Sequence, residues 1–154
     1  METLPDASLT LADGTPLSLR SLIGAPAIIY FYPKADTPGC TREAQDFSAL
    51  GDAFAHAHAA VIGVSKDAPA RLGKFAGKHG LTVRLASDES GAVSEAFGVW
   101  GEKQLYGRTY MGLERATFLF DSTGRLAQEW RKVRVPGHAQ AVLDAAVKLG
   151  RALG

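Results

Sequence analysis

Sulfur is scarce in this sequence, with one cysteine, Cys40, among 154 residues. A lone thiol cannot close a disulfide within its own chain, which excludes a disulfide-stapled secreted scaffold and fits a reducing, cytoplasmic setting. Excess charge is lacking too. Seventeen Lys and Arg against sixteen Asp and Glu leave a formal net charge of +1, and no basic block is interleaved with aromatics, so no nucleic-acid partner is expected. The apolar runs are too short to cross a bilayer, so no membrane span is expected. The opening Met-Glu-Thr-Leu-Pro-Asp has neither the basic nor the apolar region of a secretion signal. His56 and His58 lie close together, but His79 and His138 are distant in sequence and there is no second soft ligand. Neither a metal site nor a cofactor is therefore expected. Nothing repeats, and no linker or low-complexity stretch interrupts the chain. One domain over residues 1–154 is expected, with 46% hydrophobic content to fill a single core.

What is present centres on Ala27 to Leu50. Ala-Ile-Ile-Tyr-Phe-Tyr, residues 27–32, is apolar without alternation and reads as a strand covered on both faces. Pro33 and Pro38 bracket a short loop. Thr37-Pro38 reads as a helix N-cap followed by proline at the first helical position, which sets Cys40 in the first turn. The first amides of a helix are unpaired and partly positive, so they stabilise an anion such as a thiolate. That marks Cys40 as a candidate reactive thiol. The plain alternative is a buried, inert cysteine acting as a small hydrophobe.

Around this unit, Ser8 to Leu19 alternates about Asp13-Gly14 and reads as a hairpin. Ser18 to Gly24 reads as a helical turn. After Cys40, Ala44, Phe47, Leu50 and Phe54 form one apolar stripe, with Gly51 loosening or kinking the helix. Residues 61–65 read as a strand parallel to the first. A helix from Pro69 to Lys78 follows, with Asp67 as its cap and Gly80 as its stop. A short strand over Leu81–Leu85 and a helix over Ser87–Phe97 come next. Gly98 to Arg115 mixes glycine and aromatics with no clear period and reads as a long ordered loop. Trp100, Tyr106 and Tyr110 then serve as its packing, and Arg42, Arg108, Arg131 and Arg134 as surface charges. A hairpin over residues 117–130 and a final helix with Ala141, Val142, Ala145, Val147 and Leu149 on one face complete the chain. The sum is an α/β fold of thioredoxin type, a central mixed sheet flanked by helices with an N-terminal β-hairpin.

At Pro33-Lys-Ala-Asp-Thr-Pro-Gly-Cys40 the sequence also resembles the peroxiredoxin signature, met by Pro33, Thr37 and Cys40. Thr-Arg-Glu-Ala after the cysteine and residues 98–103, 106–121 and 132–138 resemble the Q-type, bacterioferritin-comigratory-protein branch. The resemblance covers nearly the whole chain. It implies a thioredoxin-like fold and a thiol-dependent peroxidase acting on hydrogen peroxide and organic hydroperoxides. Cys40 would be its peroxidatic nucleophile, and Pro33, Thr37 and Arg115 would complete the pocket. Many Q-type members carry a resolving cysteine five residues after the first. Here that position is Gln45, and with no other thiol the resolving partner is external: thioredoxin, glutaredoxin or a low-molecular-weight thiol. A monomer is expected, with a dimer as the alternative.

The chemistry gives each residue a task. A free thiol near pKa ~8.5 is about 3% ionised at pH 7, so full ionisation gains roughly 30-fold at most. The larger share of the rate must come from donors fixed around the peroxide oxygens. Thr37 can set its hydroxyl between sulfur and peroxide, and the amides of Gly39 and Cys40 can face an oxygen. Arg115 brings a permanent charge and a fork of donors. Pro33 shields the sulfur and shapes the loop, and Glu43 either holds Arg115 in place or is a solvated glutamate on the helix face. Other cysteine chemistries lack their partners. A tyrosine-phosphatase loop needs arginine where Asp46 stands, a dithiol motif needs cysteine where Glu43 stands, and no local signature supports a papain-like protease. A competitor of another class is a peroxide sensor or thiol-switched binding protein.

Overall fold

The computed structural model describes residues 1–153, with 152 and 153 in backbone only. Its strands are β1 (Ser8–Leu11), β2 (Pro16–Ser18), β3 (Ala27–Phe31), β4 (Ala60–Ser65), β5 (Arg84–Ser87), β6 (Trp100–Leu105), β7 (Arg108–Leu113), β8 (Ala116–Phe120) and β9 (Leu126–Trp130). Its α-helices are α1 (Pro38–Ala49), α2 (Gly51–His56), α3 (Pro69–His79), α4 (Ala92–Ala96) and α5 (His138–Leu153). Seven strands form one mixed sheet in the order β2-β1-β5-β4-β3-β8-β9, with β6 and β7 in a ribbon of their own. β3, β4 and β5 run parallel, while β1 and β8 join them antiparallel. This is the expected thioredoxin-type architecture, with the N-terminal hairpin on one edge of the sheet.

All five positions of β3 are buried because the sheet is covered on both faces. Strand alternation divides its side chains. Ile28, Tyr30 and the following Tyr32 join Phe47, Phe54, Leu72, Phe75 and Val142 under the helices, and Cys40 belongs to that same cluster. Ile29 and Phe31 join Phe97, Phe118 and Phe120 on the opposite face. Tyr30 pairs in register with Gly63 of β4. A Cβ on Gly63 would come 2.5 Å from the Tyr30 ring, so glycine there lets the tyrosine lie flat beneath the helix that carries the cysteine.

Several expectations are corrected. Gly98 to Arg115 is not a loop but the antiparallel ribbon β6–β7, turning at Tyr106-Gly107 with φ of 51° and 75°. Both turn residues are left-handed, as a two-residue hairpin requires, and tyrosine in that place hides the turn. The ribbon is largely exposed, so no apolar alternation betrays it. Its aromatics do not all pack: Tyr106 is 96% exposed and Tyr110 46%, whereas Trp100 rests against the core. Asp67 does not cap α3; Ala68 does. The Asp67 carboxylate instead accepts from Ser65 and from the Ala35 amide. The strand expected over Leu81–Leu85 lies later, at Arg84–Ser87. The following helix shrinks to Ala92–Ala96 because Asp88 turns its carboxylate onto the Val93 and Ser94 amides. At Gly51 the helix breaks in two rather than bending. On α5 the buried residues among those described are His138, Ala139, Val142, Leu143 and Ala146, and Ala141 faces solvent.

Candidate active site

The loop between β3 and α1 is fixed from below by α3. The Ala35 amide donates to Asp67 Oδ2 at 2.8 Å, and Arg71 Nη2 donates to the Ala35 carbonyl at 3.1 Å. Asp36 takes the left-handed region at φ 64°. Its carboxylate receives His79 Nε2 at 2.8 Å and Lys78 Nζ at 2.9 Å. Hydrogen bonds from His79 and then Lys78 hold that carboxyl below its ordinary range.

Thr37 has the extended backbone of a cap (φ −92°, ψ 155°), and Pro38 follows at the helix start. The cap is one of geometry only, because the Thr37 hydroxyl donates to the Lys34 carbonyl at 2.8 Å. Thr41 N–H donates to the Thr37 carbonyl, and Pro38 has no N–H. The amides of Gly39 and Cys40 are therefore the unpaired donors of this helix start among the described residues.

Cys40 is 2% exposed. Burial of this degree with the sulfur far from every polar partner would leave an inert cysteine, but Arg115 Nη2 donates to its Sγ at 3.4 Å. Arg115 sits between β7 and β8, and its backbone carbonyl accepts from Val133 N–H. Gly39 makes the approach possible: a Cβ there would lie 3.2 Å from Arg115 Nη2. On the other fork, Arg115 Nη1 meets Glu43 Oε1 at 2.6 Å. Glu43 lies nearly one turn beyond Cys40, so both project from the same face of α1. Burial pushes the Glu43 carboxyl up to about 7, against the opposing charge of Arg115. Burial pulls Arg115 down, but Glu43 and Cys40 outweigh it and leave the guanidinium raised. The second oxygen, Glu43 Oε2, has no partner among the described residues.

Cys40, Gly39, Glu43 and Arg115 are thus brought together, with Thr37 at the helix cap. Pro33 sits exposed on the loop rather than enclosed with the sulfur. Four neighbours escape a reading of the sequence. Tyr30 and Tyr32 bury their hydroxyls without a partner among the described residues, and burial raises Tyr30 well above its ordinary range. Their spacing on an all-buried strand was the available signal. His138 is 7% exposed and meets Thr117 Oγ1 at 2.7 Å. Burial, then Arg115, lowers His138 to about 4. Lys103, on β6, lies within the electrostatic reach of Arg115 and Cys40.

A reactive-cysteine loop, a helix start with free amides and a distant arginine on one sulfur match a known pattern. The model of the AhpC/TSA family fits residues 1–129. The chain belongs to that family, among its Bcp-type peroxiredoxins. It is 46% identical over 140 residues to Peroxiredoxin Bcp of Xanthomonas campestris, covering 91% of this chain and 88% of that protein. Against Peroxiredoxin Bcp of Bacillus subtilis the identity is 45%, over 91% of this chain and 89% of the relative. The solved structure of Xanthomonas campestris Peroxiredoxin Q superposes with a TM-score of 0.90 at 44% identity, covering 96% of each chain. This peroxiredoxin holds one cysteine, which is buried. No described helix is long and apolar enough to cross a membrane.

Proposed function

We propose that this chain acts as one domain and as a thiol-dependent peroxidase in which a single sulfur carries the whole cycle. The Cys40 thiolate attacks one peroxide oxygen. An S–O bond forms, the O–O bond breaks, and the leaving alkoxide or hydroxide takes up a proton to become alcohol or water. Cys40 remains as a sulfenic acid. An external thiol attacks that sulfur, forming a mixed disulfide and releasing water. A second thiol then restores Cys40 and leaves as a disulfide. In sum, two thiols are oxidised for each hydrogen peroxide or organic hydroperoxide reduced.

The contact of 3.4 Å between Arg115 Nη2 and Cys40 Sγ carries this reading. It sets a permanent cation where the thiolate and then the departing oxygen bear charge. The free amides of Gly39 and Cys40 are further donors for that oxygen. The Thr37 hydroxyl spends its proton on Lys34, which leaves its lone pairs to accept the peroxide proton. Glu43 fixes the Arg115 fork, and Pro33 forms the rim of the loop. Thioredoxin, glutaredoxin or a low-molecular-weight thiol serves as reductant in the reducing cytoplasm. A monomer suffices, since every group named comes from one chain. Consumption of hydrogen peroxide over many turnovers with excess dithiothreitol tests the assignment. A single stoichiometric oxidation without cycling would fit a peroxide sensor or thiol-switched binding protein instead and overturn it.

A further inference from the structure

The β6–β7 ribbon, the Gly98-Val99 segment that leads into it from α4, Glu114 (the chain neighbour of Arg115) and Lys132 enclose a pocket of about 230 Å³, to which Trp100, Glu102, Lys103 and Gly112 contribute. Its charge balance is uneven. The Glu114 carboxylate is already taken: Arg131 grips both oxygens at 2.9 Å, and the Lys132 amide donates to one of them at 2.8 Å. Glu102 is exposed at the rim. Lys66 Nζ lies 3.9 Å over the Trp100 ring. Lys103 and Lys132 form no ion pair among the described residues.

Lys103 is also aimed by the backbone. Gly101 pairs with Gly112 across the ribbon, and a Cβ on Gly112 would lie 3.1 Å from Lys103 Cδ. Glycine at 112 therefore lets the lysine stem lie flat across the strand instead of standing into solvent. Burial, then Arg115, pulls the ammonium below its ordinary range, while Cys40 and Glu114 act the other way. A half-buried lysine without a carboxylate partner among the described residues, lining a pocket and feeling the charges of Arg115 and Cys40, is suited to receive an anion.

We propose that this pocket is a carboxylate subsite, in which Lys103 binds the acidic group of the small molecule that meets Cys40. The proposal rests on the peroxidase reading and extends it to specificity. Because the one sulfur meets both a peroxide and a thiol, the carboxylate can arrive on either. Lys103 is then a specificity-determining residue for whichever half-reaction brings the acid.

The test measures the two half-reactions separately in the full-length protein by stopped flow. In the first arm, sulfenic acid is reduced by mercaptopropionate or by mercaptoethanol. In the second, reduced protein is oxidised by a carboxylate-bearing alkyl hydroperoxide or by tert-butyl hydroperoxide. In at least one arm, the ratio of acidic to neutral rate constants should fall about five- to tenfold in Lys103→Met. It should invert further in Lys103→Glu and return in Lys103→Arg. For the unaltered protein, the same ratio should fall as salt is raised, a readout that needs no variant. The arm that responds identifies the source of the carboxylate. If the ratio is unchanged by all three substitutions and by salt in both arms, the subsite is overturned. Failure of the unaltered protein to cycle with hydrogen peroxide and dithiothreitol would instead strike the peroxidase reading.

Discussion

Arg115 touches both a sulfur and a buried carboxylate, and the two contacts ask different things of it. Toward Cys40 it supplies charge. Toward Glu43 it offsets the burial of an anion that the protein otherwise drives toward protonation. Cys40→Ser should abolish peroxide turnover in a coupled thiol assay, and appreciable residual rate would remove the sulfur from the mechanism. Arg115→Ala should slow the peroxide step by about 10²–10³, the scale of losing one preorganised donor. The protein should still fold, because Glu43 can take up a proton rather than remain as an unpaired charge. Stopped-flow oxidation measures this, and a near-unaltered rate constant would take Arg115 out of the site. Arg115→Lys should recover little of the loss, since one ammonium cannot serve Sγ and Oε1 as two arms of a fork do. These residues were legible because a short motif places Cys40 and Thr37 together and a long resemblance reaches Arg115. Lys103 and His138 were not, because no spacing in sequence ties them to the site; the ribbon and the start of α5 bring them within electrostatic reach of Arg115 in space.

At the level of elements, α1 carries the nucleophile and also forbids a local resolving partner. Residues five apart on a helix are offset by about 140° around the axis and their Cα atoms stand roughly 8–9 Å apart, too far for a disulfide. Cys40 is buried and Gln45 exposed, as that offset demands. In Gln45→Cys, peroxide should therefore produce an internal disulfide only as the first turns of α1 unwind. Intact mass should show the loss of two hydrogens. Far-ultraviolet circular dichroism should fall, and amide exchange over residues 38–45 should accelerate. A crosslink formed with the helix unchanged would contradict the geometry. The sequence told the start of this helix from Thr37-Pro38 and its break from Gly51. It did not tell the ribbon, where both faces meet water and a tyrosine occupies the left-handed turn position. Nor did it reveal the work of Asp67, whose partners Ala35, Ser65 and Arg71 come from the β3–α1 loop, β4 and α3.

Over the whole molecule, two buried groups on neighbouring elements make stability depend on pH in opposite senses. Glu43 is raised on folding from 4.5 to about 7. Between those values the folded state holds a proton that the unfolded chain has released, so its contribution is full below 4.5 and is lost as pH climbs through about 7. His138 is lowered from 6.5 to about 4. Across that interval the unfolded chain holds the proton, so stability is lost as pH falls from 6.5 toward 4. Each full proton difference is worth about 1.4 kcal/mol per pH unit, and at this chain length 1 kcal/mol moves the melting temperature by roughly 2–4 °C. From 4.5 to 6.5 the two slopes oppose each other. The carboxyls held low by surface partners, Asp13, Asp36, Glu114 and Asp121, add losses only below their ordinary values of 3.8 to 4.5. A melting curve that is nearly flat in this window is therefore expected for the unaltered protein. Glu43→Gln should remove one slope and expose acid lability from His138. His138→Gln should remove the other, so that the melting temperature declines on passing from mildly acid to neutral pH. Differential scanning fluorimetry across the window reads all three proteins. If both variants kept the flat profile, neither group would titrate as its burial beside Arg115 requires.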